Sequence, residues 1–345
     1  MPLTPDLMAD FVAATISNFK RNKWTDISLQ HTEYISATLI DEKKVVEQGG
    51  DQIKFDIQHR NTGTVRNTGL FAQNQTSAED VLTQGSCPWT FQDGSYSYDL
   101  REDAFQTDRE TIVRILLLRE HACLNNFAEF HEENLWTAPA SSSEGRPFGL
   151  PFWLQKDATT TVEGAFNGGN PTGFTSGAAG VSSTTYPRWR NWTFGYTNPT
   201  VDDLVRKVKK AMFSTHFMAP VPHPELGFGK ADHSIFTTYR VREPLERVAE
   251  SRNDNLKGDL ARYVDAVTIG GVPIKAVPYL EANDSSDPLY GVNWKFFRPY
   301  VKSGWDMRRS KPKAAPKQNN VFDVFIDHAM NYVCYNRRAQ WVGSK

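Results

Sequence analysis

Excess charge of either sign is missing. The 345 residues carry 39 Lys and Arg against 40 Asp and Glu, a formal net charge of −1. That balance excludes a chain coated in basic side chains for nucleic acid, and it gives no pull toward an anionic membrane. Cysteine is scarce: Cys87, Cys123 and Cys334 are odd in number and widely spaced. The pattern excludes a disulfide framework and a zinc site, and predicts three reduced thiols of a cytoplasmic protein. No apolar run approaches the roughly 20 residues that span a bilayer. The opening MPLTPDLMADFVAA lacks the basic start and long apolar block of a signal peptide. No internal repeat is visible.

Signatures of chemistry are also missing. His121 and His131 share a predicted helix with Glu120, Glu132 and Glu133 but lack the three- or four-residue ligand spacing of HExxH, so they read as a solvated face. His216, His223 and His233 surround Pro220, Pro222 and Pro224 with no GxSxG nucleophile. Asp232-His233-Ser234 has triad composition but reads as a turn, since adjacent side chains point apart. The segment from Gly164 to Gly180 has no GxxxxGK[ST] pattern and no following helix, and reads as a flexible loop. The expectation is a chain without catalytic residues, metal or cofactor.

What the chain does have is aromatic residues, 12% of the total, and a long alternating segment near its end. In VFDVFIDHAMNYVCYNRR, Phe322, Val324, Ile326, Met330, Tyr332 and Cys334 fall on one face, interrupted by His328. Asp323, Phe325, Asp327, Asn331, Val333 and Tyr335 fall on the other, which predicts a long half-buried strand. The length suggests two or more lobes. Residues 1 to 50 read as an arm without its own core, holding a short amphipathic segment, Asp6 to Phe19. DQIKFDIQH alternates as a strand, and CPWTFQDGSYSYDLRED reads as its hairpin partner, with Tyr96, Tyr98 and Leu100 on one face. The polar stretch between them has no core and is functional or disordered. Thr107 to Leu135 is the longest helix signal, with Thr107 and Glu110 as a capping box and a span of roughly 43 Å. FGLPFWLQ looks like core. A second helix begins at Thr200, capped with Asp203. IFTTYRV is a strand and EPLERVAESRND a helix; DAVTIGGVPIKAVPYL is a pair of strands and YGVNWKFFRPYV one more. Helices and strands mixed without regular βαβ alternation indicate an α+β architecture.

Two basic features stand out. Arg308, Arg309, Lys311, Lys313 and Lys317 are spaced by Pro312 and Pro316 and so are extended. They suit phosphates, a solvated connection or an acidic neighbouring subunit. Arg337 and Arg338 follow the long strand.

The order of these parts resembles the major capsid protein of tailed double-stranded DNA bacteriophages, the Hong Kong 97-type fold. The segments that carry the resemblance are TYPRWRNWTFGYTNPTVDDLVRKVKKAMFSTHFMAP at 185–220, IGGVPIKAVPYLE at 269–281, NWKFFRPYVKSGWDM at 293–307 and NVFDVFIDHAMNYVCYNRR at 320–338. It implies an N-terminal arm at 1–50, an extended loop at 51–100, and a peripheral domain at 101–198 with the spine helix at 107–135. An axial domain at 199–305 follows, then a basic loop and final peripheral strand at 306–345. The resemblance implies an icosahedral shell of hexamers and pentamers, located in the virion and assembled in the host cytoplasm. Arg60, Asn61, Gly63, Arg66, Gly69, Leu70 and Phe71 of the extended loop would meet a neighbour. Arg308, Arg309, Lys311, Lys313, Arg337 and Arg338 would meet a subunit or the packaged DNA. Portal and decoration proteins join as partners, with no membrane. A hairpin starting near residue 51 leaves no room for a built-in scaffold, which implies a separate scaffolding protein; no crosslinking Lys, Asn and Glu set matches. Two other readings stay open: an encapsulin-type compartment, and a polymer-acting hydrolase with Trp153, Trp189 and Trp192 along a groove.

Overall fold

A computed structural model describes residues 26–61, 63–71, 73, 79–101, 109–157, 162–217, 232–252, 267–316, 318 and 320–345. The amphipathic segment Asp6–Phe19, the Thr107–Glu110 capping box, His223 and Lys317 lie outside the described residues.

Two larger sheets organise the chain. The predicted long strand, here β14 (Val321–Cys334), runs through the centre of the first. On one side it pairs along ten residues with β4 (Thr90–Asp99), from Val321 opposite Asp99 to Met330 opposite Thr90. On its other side lie, in succession, β13 (Lys313–Ala314), β12 (Arg308–Arg309) and β11 (Phe297–Lys302), and β1 (Val45–Glu47) adds a parallel edge to β11. The alternation holds only in the first half of β14. From His328 onward both faces are buried, because Tyr332 stacks under Phe297 at 5.9 Å and the Leu150–Leu154 segment closes the other side.

The spine helix, Arg109–Trp136, crosses this sheet. Its 28 residues span roughly 42 Å at about 1.5 Å per residue. A short arm helix, Ile35–Lys43, lies against it, so residues 35–43 pack on their own chain rather than forming a free arm.

The second sheet has seven strands in the order β5-β6-β15-β10-β7-β9-β8. These are Ala165–Phe166, Trp192–Gly195, Trp341–Ser344, Leu289–Asn293, His233–Thr237, Val272–Ala276 and Thr268–Ile269. Helices Arg206–Thr215 and Tyr239–Arg252 cover one face through Val208, Ala211, Val241 and Leu245. Thr200 caps the turn before Arg206 as expected, its side chain accepting from Asp203 N–H.

Several sequence expectations are corrected. The partner of β2 (Gln52–Gln58) is β3 (Leu82–Pro88), not the Thr90–Asp99 segment, which belongs to the β14 sheet. YGVNWKFFRPYV is two strands in different sheets, turned at Trp294–Phe296, and PYL is the start of a helix, Pro278–Asn283. Tyr239–Val241 is helical, and His233 begins a strand rather than a turn. The chain does not end on β14: Trp341–Ser344 continues into the seven-stranded sheet, so the sheets cut across the boundaries expected at 198 and 305.

Candidate assembly surfaces

The extended loop has a buried root and a bare tip. At the root, Ile53 and Phe55 alternate inward, Phe55 meets Tyr335 edge-on at 5.3 Å, and Ser86 N–H donates to Ala179. Beyond His59 the described loop residues up to Asp80 form no core. Leu70 and Phe71 are 95% and 103% exposed, and Val65 is equally bare. Arg60 donates to Asp80 O across the loop at 2.7 Å and sits 3.7 Å from Glu79; Arg66 likewise reaches Gln73 O. Both arginines therefore hold the two arms of the loop together. Asn61 accepts from Gln58, and Gly63 turns with φ +68°. Gly69 stands in open space. The expected residues are thus gathered in one projecting element, with the apolar pair at its end.

The basic segment folds back on its own sheet. Arg308 stands opposite Asp327 and Lys313 opposite Asp323. Arg308 also lies over the Trp305 ring at 4.9 Å and Lys313 over Phe325 at 6.0 Å. Arg309 points to the other face and pairs with Glu120 of the spine helix at 2.5 Å. Their neighbour Lys311 is exposed. The local charge is balanced strand against strand, which weakens the segment as a phosphate grip.

Arg337 is withdrawn from any external contact. It is fully buried, and donates to Trp153 O at 2.7 Å, Trp189 O at 3.2 Å, Gly169 O at 2.9 Å and Asn191 Oδ1 at 3.2 Å. Burial pushes its pKa down to about 10. The guanidinium is used as a five-donor bolt rather than as a surface charge. Arg338 is half-buried and lies over Phe166 and Phe217 at 4.6 and 5.0 Å.

The Gly-rich segment is a packed array of turns rather than a flexible loop. Gly168, Pro171, Gly177, Ala178 and Ala179 are buried. Trp189 Nε1 donates to Ala178 O and Arg337 holds Gly169 O. The three tryptophans assigned to a groove line none: Trp153, Trp189 and Trp192 are all buried, and Trp153 Nε1 donates inward to Phe148 and Tyr332 carbonyls.

The two histidines of the spine helix part company. His121 is half exposed beside Asp26, as a solvated face requires. His131 is buried, correcting that reading, and meets buried His328 of β14 edge-on at 5.0 Å. Met307 N–H donates to His328 Nδ1, so the ring proton sits on Nε2, which has no partner among the described residues. A protonated Nε2 offers no lone pair to a metal. Burial and the neighbouring ring lower His131 to about 3, and burial lowers His328 as well.

Asn125 and Glu129, which the sequence did not single out, and Glu132, read there as part of a solvated face, tie the arm to the spine. Asn125 holds Asp26 at 2.7 Å, Glu129 accepts from Gln30 and Tyr34, and buried Glu132 accepts from Ser36 N–H at 2.7 Å and from Trp136. Glu132 caps the first turn of the arm helix from outside the helix, a tertiary version of the usual N-cap. The polar spacing 125, 129, 132 on one helix face was the available signal.

No family model matches the chain, and no curated protein does. Solved structures do. The capsid asymmetric unit of cyanophage A-1(L) is 15% identical, with 92% of this chain and 94% of that one covered at a TM-score of 0.64. A chain of Gordonia phage Cozz is 11% identical, with 93% and 89% covered and a TM-score of 0.54. The capsid of a native GTA particle is 11% identical, with 96% and 98% covered and a TM-score of 0.52. Likeness over nine-tenths of the chain at such low identity establishes architecture, and this chain has the α+β, Hong Kong 97-type fold of tailed-phage capsid subunits.

Proposed function

We infer that the chain is the major capsid protein of a tailed double-stranded DNA phage. It is a structural rather than catalytic protein, and hexamers and pentamers of it close an icosahedral shell around the genome. The observation that carries this reading is the extended loop, a rooted projection whose apolar end covers nothing among the described residues. An apolar tip held in water is reasonable when a second copy receives it. In this reading the six-stranded sheet and spine helix form the peripheral domain, and the seven-stranded sheet forms the axial domain. The partners are first copies of itself, then a scaffolding protein, a portal and decoration proteins. The location is the virion, after assembly in the host cytoplasm. The charge-balanced strip at Arg308, Lys311 and Lys313 favours a subunit contact over DNA.

The test is purification with the co-expressed scaffolding partner, followed by sedimentation and electron microscopy. Closed particles of uniform size support the reading, and a small oligomer alone overturns it. Particles that hold protein cargo in place of DNA would point to an encapsulin-type compartment. Replacing Arg308, Lys311 and Lys313 with Gln should reduce empty shells; intact empty shells that lose DNA would reverse the assignment of that strip.

A further inference from the structure

Consecutive arginines are used here in opposite ways. The Arg337 guanidinium donates to four acceptors of its own chain. The Arg338 guanidinium donates to none among the described residues. Its Nε is buried without an acceptor, whereas the residue as a whole is half-exposed, so the terminal N–H edge is the part that faces water. Two rings fix that edge in place. Phe166 lies 4.6 Å from the guanidinium carbon and Phe217 5.0 Å from it. Rings cover the faces of a guanidinium and leave its in-plane N–H groups able to donate. A second guanidinium stands beside the first. Arg337 donates to Trp189 O at 3.2 Å, which draws the next residues along, Arg338 and Arg188, into one neighbourhood. Burial first, and then the Arg188 charge, hold the Arg338 pKa below the ordinary arginine range. No carboxylate, Glu163 beside β5 included, pairs with either arginine among the described residues.

We propose, independently of the shell reading, that Arg338 and Arg188 form a receptor for a phosphate dianion. Like charges held together oppose each other, and a half-buried one lacks the water that would screen it. An anion between them removes that repulsion and gives the terminal N–H groups acceptors. Guanidinium forks match the oxygen pairs of a tetrahedral oxyanion, and two positive charges are balanced by a dianion rather than by a single carboxylate. The contrast with the basic strip sharpens the assignment. There Arg308 stands opposite Asp327 and Lys313 opposite Asp323, so each cation already has its counter-charge in the sheet. At Arg338 the chain supplies an aromatic platform and a second cation instead.

Equilibrium dialysis of the full chain against radiolabelled inorganic phosphate, at constant ionic strength, tests the receptor. Saturable binding is expected in the parent chain. Arg338→Gln and Arg188→Gln should each weaken it about tenfold, the loss of one charge-assisted fork. Arg188 is exposed, so its replacement leaves the fold intact and carries the test if Arg338→Gln is unstable. Arg338→Lys keeps the charge without the fork and should stay several-fold weaker than the parent. Lys209→Gln, which removes an exposed cation of the Arg206–Thr215 helix, should bind as the parent does. No saturable binding in the parent would overturn the proposal. So would an equal loss from Lys209→Gln, since general attraction to positive charge would then explain the uptake. Acetate or short duplex DNA, supplied at the same concentration of negative charge, should displace phosphate poorly. Displacement as effective as that by unlabelled phosphate would overturn the assignment to a dianion.

Discussion

Two segments of similar composition end in opposite states. Residues 60–79 and 164–180 are both rich in Gly, Asn and Thr, and neither offers a periodic apolar face. The first projects, with its apolar residues in water. The second is built into the wall of the core, with Ala178 and Ala179 buried beside Trp189. The difference lies outside both segments. Arg337 and the Trp189 indole reach the carbonyls of the Gly-rich segment, whereas Arg60 and Arg66 of the extended loop reach carbonyls of its own opposite arm. Composition sets what a segment cannot do alone. Distant donors decide whether it is held.

Removing the distant donor should therefore erase the contrast, and this is the largest effect on stability expected. Arg337→Met deletes donors to four acceptors in one step. Buried carbonyls left without partners cost about 1–3 kcal/mol each. We expect a loss of at least about 3 kcal/mol in urea unfolding, with new protease cleavage between Gly164 and Gly180. Unchanged stability would show that the bolt is not what packs the segment. Next in size is Gly173→Ala. Gly173 has φ +80°, and a Cβ there would collide with the Ala140 carbonyl. Left-handed strain alone costs about 1–2 kcal/mol, and main-chain collision adds to it, so about 2–4 kcal/mol is expected. Gly63→Ala, at φ +68° but in open space, should cost the left-handed strain alone, about 1–2 kcal/mol. Equal losses at the two glycines would abolish the distinction between the segments.

The sequence showed one of these states and hid the other, for a physical reason. The strand at 321–334, the spine helix and the loop root at 52–58 were legible because each obeys a local period, two or 3.6 residues. Their apolar stripes face the core wherever the partners lie. The role of Arg337 was illegible because three of its four acceptors are main-chain oxygens, of residues up to 184 positions away. A basic residue after a strand reads as surface charge until those carbonyls are placed. The partner of β2 was misread for a related reason. The segment at 90–99 alternates more strongly than that at 82–88, yet chain order and the β14 register assign it elsewhere. Of the candidate site, the loop tip was legible from its missing core. The ties of Asn125, Glu129 and Glu132 to the arm were not, since their partners stand 96 and 99 positions away in the sequence.

Acid should loosen the packed part of the molecule before it affects the loop. His131 and His328 are buried, and both pKa values lie below the ordinary 6.5, His131 at about 3. The unfolded chain binds protons at pH 6.5 that the folded chain refuses, so stability falls as pH drops from about 6.5 toward 3. Asp306, 3.5 Å from His328, favours the proton and moderates the loss, while Lys44 opposes it. Glu132 acts oppositely: burial raises it above 4.5, so its protonation favours the folded state at the acid end. The net expectation is a loss on the order of 1–3 kcal/mol between pH 7 and 5. Amide exchange should quicken first along 124–136 and 328–334. His131→Phe should flatten the dependence. A stability flat from pH 7 to 5 in the parent chain would sink this account.

The smallest effect on stability is expected from the extended loop itself. His59 N–H donates to Val81 O at 3.0 Å, which closes the β2–β3 ladder just inside the segment. Replacing Arg60–Asp80 with Asn-Gly supplies the two-residue turn that such a ladder accepts. The straps lost with the loop, Arg60 to Asp80 O and to Glu79, are solvent-exposed, and exposed ion pairs contribute roughly 0–1 kcal/mol. Shortening the connection recovers a similar amount of loop-closure entropy. The circular dichroism and the unfolding midpoint should therefore match the parent within about 1 kcal/mol, while particles disappear. A destabilisation of several kcal/mol would mean that the loop packs on its own subunit. Normal particles from the shortened chain would mean that assembly does not run through the tip.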